Sequence, residues 1–233
     1  MHIKTSQINR GLKTGLLGGS FNPLHVGHLR LCVEVMERCS LDHIQLIPAY
    51  KPPHKDLQNI LPFDMRCSMI ESSIRDLAAI SLNRMEKERP GPSYTYDTLQ
   101  TLMENDPCSR FFFIMGGNDL LTMPKWYKGH EIGLMSDIIV AGREGQGLES
   151  AEEFVSGFWG AEGMEQGRWL IPRGGHIQYI SIPRLDISSS VIRARWMAGK
   201  NIQWLVPEGV RAYLESYADE VKNIWQEIEG LQA

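Results

Sequence analysis

A chain of 233 residues with 42% apolar and 22% charged residues carries enough apolar material for one large α/β domain or two small ones. Its net charge of −4 gives no general attraction to nucleic acid, so binding a polymer would need a local basic patch. No apolar run approaches the ~20 residues of a membrane span, and the polar start, Met1 to Thr14, has no apolar stretch of the kind a secretory signal needs. Cys32, Cys39, Cys67 and Cys108 form no C-x-x-C pair and have no companion His at zinc spacing, which reads as reduced thiols in a cytoplasmic protein.

The elements predicted in chain order alternate. Thr14 to Gly18 is a strand, His28 to Cys39 a helix, and His43 to Pro48 a strand with β-branched alternation. A loop with two prolines follows at 49–55. Pro62 to Ala78 is predicted helical, with Met65, Met69, Ile70 and Ile74 near helical spacing, and Ala79 to Met85 as the next strand. A helix runs from Tyr94 or Thr95 to Asn105. Arg110 to Met115 and Asp137 to Ala141 read as buried strands, the first continuously apolar after its opening Arg. Gly145 to Gly175, rich in Gly and Glu, is expected to be a helix-containing surface excursion. His176 to Ile182 is the last strand, and Ser190 to Ala198 and Pro207 to Tyr217 are helices. The alternation predicts an α/β fold, a Rossmann-like doubly wound parallel sheet in a single domain with a helical C-terminal part. In the tail, Val221, Ile224, Trp225, Ile228 and Leu231 fall on one helical stripe. Packing on its own domain is the plainer explanation of that stripe, and a contact between subunits of a homo-oligomer the sharper one.

The most informative stretch is Gly18-Gly19-Ser20-Phe21-Asn22-Pro23-Leu24-His25-Val26-Gly27-His28, placed between a strand and a helix. A glycine turn lets backbone N–H groups face an anion, and the helix N-terminus adds positive partial charge. His25 and His28 share one face at that helix entrance. Two imidazoles beside amide donors suit a polyphosphate whose charge grows during reaction. A Gly-Pro turn with two surface histidines is the bland alternative.

These residues resemble the [ST]-F-[DN]-P-x-H-x-G-H signature of the nucleotidyltransferase superfamily, and further matches to about residue 217 resemble its bacterial nicotinate-nucleotide adenylyltransferases. The resemblance implies ATP and Mg²⁺ as cosubstrates and transfer of AMP onto the phosphate of nicotinate mononucleotide, giving nicotinate adenine dinucleotide and pyrophosphate. It implies small-molecule substrates alone, with no nucleic-acid or membrane partner. The nucleotidyltransferase domain would span residues 14–217, after a polar extension at 1–13 and before an amphipathic helix at 218–233.

The resemblance also distributes roles. His25, His28 and Arg193 would be catalytic. Ile187-Ser188-Ser189-Ser190-Val191-Ile192-Arg193 resembles a family I-S-S-T-x-I-R motif that binds ATP phosphates, departing only by Ser190 for Thr. Gly18, Gly19, Ser20, Phe21, Gly116 and Arg143 would also belong to the ATP site. Gly116-Gly117-Asn118-Asp119 matches a Gly-x-Asp that contacts the ATP ribose, with either Asn118 or Asp119 in that role. Lys51, His54 and Lys55 would lie over the phosphates of the mononucleotide, with Asn22 beside them. Tyr94-Thr95 and Trp126-Tyr127 would hold the nicotinate, the ring stacked on Trp126 and the carboxylate on backbone N–H groups. No Asp/Glu/His cluster at metal-ligand spacing is visible, in line with a Mg²⁺ carried by triphosphate oxygens and water. No Ser-His-Asp or Cys-His arrangement is recognisable, so no covalent intermediate is indicated.

Overall fold

The structure, a computed structural model, describes residues 11–53, 59–143, 147–165, 167–183 and 185–226. In chain order its elements are β1 (Lys13–Gly19), α1 (Val26–Cys39), β2 (His43–Pro48), α2 (Phe63–Ile74), β3 (Ile80–Leu82), α3 (Thr95–Asn105), β4 (Arg110–Gly116), α4 (Gly117–Thr122), α5 (Gly129–Met135), β5 (Asp137–Arg143), α6 (Leu148–Trp159), β6 (Glu162–Glu165), β7 (Arg168–Leu170), β8 (His176–Ile182), α7 (Ser189–Met197), α8 (Glu208–Ser216) and α9 (Ala218–Gln226).

The strands form one sheet in the order β3-β2-β1-β4-β5-β8-β7-β6. The pairings from β3 across to β8 are parallel, and β7 and β6 are antiparallel. The parallel part is the expected doubly wound, Rossmann-like sheet. Its strand order reverses between β1 and β4, and in such sheets ligands bind outside the carboxyl ends of the strands at that reversal.

Each central strand is buried on both faces, which explains its continuous apolar run. Leu17, Ile114 and Ile139 face one core, with Val35 of α1, Met69 of α2, Ile192 of α7 and Leu214 of α8. Leu16, Phe113 and Val140 face the other, with Leu99 of α3, Leu120 of α4, Ile132 of α5 and Val155 of α6. Because strand side chains alternate, neighbours such as Leu16 and Leu17 serve opposite cores. From α9, Val221 and Trp225 are buried in the first core and Ile224 packs against it. The described part of the tail stripe therefore packs on its own chain; Ile228 and Leu231 lie outside the described residues.

Three expectations need correction. The segment from Gly145 to Gly175 is no surface excursion. Trp159, Trp169 and Ile171 are core residues, and β6 and β7 extend the sheet as an antiparallel hairpin. Sparse apolar residues among Gly and Glu hid the short strands, in which only Trp169 is buried. The third strand is shorter than expected. Asn83 ends it, with its Oδ1 accepting from the Met85 N–H at 2.9 Å and its Nδ2 donating to Gln45 Oε1 at 2.8 Å, and a 3-10 turn at Met85–Lys87 follows. The second helix stops at Ile74 rather than Ala78.

Gly129 opens α5 where the chain doubles back after Trp126-Tyr127. A Cβ there would lie 2.1 Å from the Met123 carbonyl oxygen, a main-chain atom that no rotamer change can move aside. Gly129→Ala should lower the free energy of unfolding by about 1–3 kcal/mol, the usual scale of overpacking. Denaturant unfolding with an unchanged midpoint would show that this approach is not needed.

Candidate active site

β1 ends at Gly19, and the turn to α1 is not itself a glycine turn. The left-handed residue is Phe21, at φ 44°. Its buried ring supplies the reason for Gly19, where a Cβ would sit 3.2 Å from the Phe21 ring. Gly18, by contrast, would meet nothing within 4 Å if it had a Cβ. The Asn22–Pro23 peptide is cis.

Asn22 is buried, and its side chain serves the protein. Nδ2 donates to the Asn59 carbonyl at 2.6 Å, and Oδ1 accepts from the Leu61 N–H at 3.1 Å. His25 is the residue at the N-cap of α1. The expected start at His28 was late because the first turn, Val26-Gly27, has little helical signal of its own. The His25 N–H donates to His28 Nδ1 at 3.2 Å, and the His28 N–H donates to the His25 carbonyl at 2.9 Å. In a neutral His28 this leaves the proton on Nε2, which is then a donor. The rings stack at 3.7 Å between centroids, and Phe21 meets His28 edge-on at 5.0 Å. The glycine of H-x-G-H now has a physical cause. A Cβ on Gly27 would lie 3.0 Å from His25 Nδ1.

The motif from Ser188 to Arg193 docks onto this turn. Ser188 is the N-cap of α7 and accepts from the Val191 N–H at 3.2 Å. The Ser189 hydroxyl donates to the Pro23 carbonyl at 3.0 Å. Arg193 donates through Nη1 to the Asn22 carbonyl at 2.8 Å and through Nη2 to Ser190 Oγ at 3.2 Å. Its partial burial pulls the guanidinium below its ordinary pKa. The N-terminal turns of α1 and α7 therefore meet at the ends of the sheet, adding their positive partial charges.

Beside them lies a cavity of about 680 Å³, lined by His25, His28, Gly116, Asn118, Asp119 and Tyr179 among others. Asp119 Oδ2 accepts from the Gly116 N–H at 3.3 Å. Arg30 lines the cavity too; neither Tyr179 nor Arg30 is singled out by the sequence, although the period-2 pattern of the last strand places Tyr179 on one face. Arg143 ends β5, and His54 and Lys55 lie outside the described residues.

The expected acceptor residues do not line this cavity; they form a separate wall. Tyr94 is the N-cap of α3 and Thr95 its first residue. The Tyr94 and Tyr127 rings lie 4.6 Å apart. Trp126 is half-buried, meets Phe113 edge-on, and donates from Nε1 to Thr122 Oγ1 at 3.0 Å. Lys51 is exposed, with its main-chain N–H held by Ser93 Oγ at 3.0 Å. Among the described residues, no group of three or more His, Cys, Asp and Glu is placed to hold a metal ion, and no helix is long and apolar enough to cross a membrane.

Residues 16–195 match the cytidylyltransferase-like family. A protein of Geobacter sulfurreducens named "Probable nicotinate-nucleotide adenylyltransferase" is 38% identical over 214 residues, covering 87% of this chain and 95% of that protein. The chain belongs to the nicotinate-nucleotide adenylyltransferase family. A family member from Exiguobacterium sibiricum is 32% identical over 206 residues, covering 88% of this chain and 97% of its own length. The fold is shared with the Plasmodium falciparum nicotinic acid mononucleotide adenylyltransferase complexed with NaAD, at a TM-score of 0.69 and 20% identity over 88% of this chain and 96% of that one. Membership makes the chain a nucleotidyltransferase.

His25 is 7% exposed, and its Nδ1 is buried with no partner. Burial lowers its pKa from the ordinary 6.5 to about 4, so the ring is neutral at pH 7. Above pH 6.5 it is neutral in the folded and unfolded chains alike, and stability is unaffected. Between pH 6.5 and 4 the unfolded chain binds a proton that the folded chain refuses, so stability falls as pH falls, in total by on the order of 3 kcal/mol. Thermal unfolding from pH 7 to 4.5 should cost the native protein more stability than His25→Gln. Parallel pH profiles for the two would contradict this.

Proposed function

We propose that the chain transfers AMP from ATP to the phosphate of nicotinate mononucleotide, releasing pyrophosphate, as its relatives' names describe. The observation that carries this reading is the meeting of two helix N-termini, each with its motif, at one edge of the sheet. Arg193 and Ser189 of α7 bond to the Asn22 and Pro23 carbonyls of the turn that leads into His25 and His28.

In this reaction a phosphate oxygen of the mononucleotide attacks the α-phosphorus of ATP. One P–O bond forms to the acceptor, and the bond from the α-phosphorus to the bridging oxygen breaks. Pyrophosphate carries away the electron pair. The acceptor oxygen is already an anion, so no general base is needed, and catalysis is positioning plus stabilisation of developing charge. His28 Nε2–H, the buried neutral His25 and Arg193 supply that stabilisation. The α1 and α7 turns supply fixed dipoles that need no reorganisation during the reaction. Mg²⁺ enters with ATP as part of the substrate, bound by phosphate oxygens and water. The base and ribose of ATP occupy the cavity beside His28. There Asp119 already accepts from the Gly116 N–H, which favours Asn118 as the group that meets the ribose.

The acceptor ring lies against Trp126, with backbone N–H groups near Thr95 and Tyr127 on its carboxylate. A carboxamide would turn an NH₂ toward one of those donors and leave a buried N–H unpaired, at a cost of ~1–3 kcal/mol for each group. Two such mismatches discriminate by ~10²-fold or more. Pyrophosphate release at saturating ATP should therefore show a higher kcat/KM for nicotinate mononucleotide than for nicotinamide mononucleotide by that factor. Trp126→Ala should weaken both acceptors, because stacking does not distinguish acid from amide. Equal values for the two, or a preference for the amide, would overturn the nicotinate assignment.

A further inference from the structure

Among the described residues, Arg66 is the largest side chain that the fold buries completely, at 1% exposure. It sits on α2 among Met65, Met69 and Ile70, all core residues. A guanidinium there must be hydrogen-bonded to be tolerated. Its Nε donates to the Leu61 carbonyl at 2.8 Å, its Nη1 to the Ser20 carbonyl at 2.7 Å and its Nη2 to the Ala49 carbonyl at 2.9 Å. Burial lowers its pKa to about 10, which leaves it charged at neutral pH.

The accepting carbonyls belong to separate segments. Ser20 follows β1 in the phosphate turn, Ala49 follows β2, and Leu61 precedes α2. The third segment is also the one that Asn22 pins. On the far side of Ala49, the Tyr50 and Lys51 N–H groups both donate to Ser93 Oγ, at 2.9 and 3.0 Å, next to Tyr94. One bonded path thus runs from Ser20 through Arg66, Ala49, Tyr50 and Ser93 to Tyr94. It joins the phosphate turn to the acceptor wall.

The bond to Ser20 has a second consequence. In a trans peptide the C=O and the following N–H point in opposite directions. With the Ser20 carbonyl turned in toward Arg66, the Phe21 N–H is turned away from the core. The orientation of a donor in the phosphate turn is therefore set from behind by a side chain that never meets a ligand.

We propose that Arg66 is a positioning residue for the transfer reaction: its guanidinium fork fixes the peptide planes of the phosphate turn and locks that turn to the acceptor wall. The proposal rests on the adenylyl-transfer reading above. Lys could keep the charge but not the planar fork, so charge alone would not substitute.

The test uses the full chain with Arg66→Met and Arg66→Lys. Cooperative thermal unfolding establishes that each variant is folded. Kinetics are then measured well below each transition, alongside calorimetric binding of ATP without acceptor. Both variants should lose kcat by roughly 10–100-fold, the scale on which small misplacements act. KM should rise for both ATP and the mononucleotide, and the Lys variant should not be rescued. Near-normal kcat and KM in a folded Met variant would reduce Arg66 to a packing role. Near-normal kcat in the Lys variant would assign its effect to charge, and this variant decides alone if the Met variant does not fold. If the native protein prefers another mononucleotide, the acceptor assignment fails. The Arg66 comparison then stands on ATP binding and on kcat with that acceptor: weaker ATP binding and lower kcat in both variants support the proposal, and unchanged values overturn it.

Discussion

The site depends on one long-range tie. Arg193 and Ser189, at the start of α7, bond to the main-chain carbonyls of Asn22 and Pro23, in the turn before α1. With those carbonyls engaged by α7, the donor ends of two helices are left at the same place. The sheet makes the meeting possible. Its strand order reverses between β1 and β4, so the turn after β1 and the segment after β8 both open onto the carboxyl edge.

The charge of the site is unevenly built. His25 is buried, stacked on His28 and neutral at pH 7, so it contributes as a polar group rather than as a cation. Arg193 is a full charge and is already hydrogen-bonded to the turn. In the proposed reaction, the buried neutral His25 and one fixed guanidinium favour the stage at which negative charge develops on the leaving pyrophosphate over the ground state of ATP. The proposed acceptor wall is made of the rings of Tyr94, Trp126 and Tyr127, a composition that suits a flat ring.

Much of this was legible in the sequence. The continuous apolar runs of β4 and β5 and the alternation of β2 announced a sheet buried on both faces, and the strand-to-helix context of residues 18–28 announced the turn between β1 and α1. The hairpin of β6 and β7 was not legible. Its strands are short, Glu162 to Glu165 are exposed throughout, and Trp169 of the partner strand is the one buried residue of the pair. Arg66 was not legible either. A charged residue inside an apolar helical stripe reads locally as a residue reaching solvent, and only the fold shows three carbonyls arriving around it. The same holds for Asn22, which reads as a ligand contact in the motif but spends its side-chain amide on Asn59 and Leu61. For Asn22 both partners, and for Arg66 the Ser20 and Ala49 carbonyls, lie far away in the chain, where local pattern carries no information.

In the proposed reaction aligned substrates react directly within preorganised donors, with no protein atom entering the bond. Direct transfer has a stereochemical signature. Transfer from a single diastereomer of ATP carrying sulfur on the α-phosphorus, followed by ³¹P analysis of the dinucleotide product, reports the configuration at that phosphorus. One in-line displacement predicts inversion. Retention would require two successive displacements through a covalent nucleotidyl-enzyme, and would contradict the account.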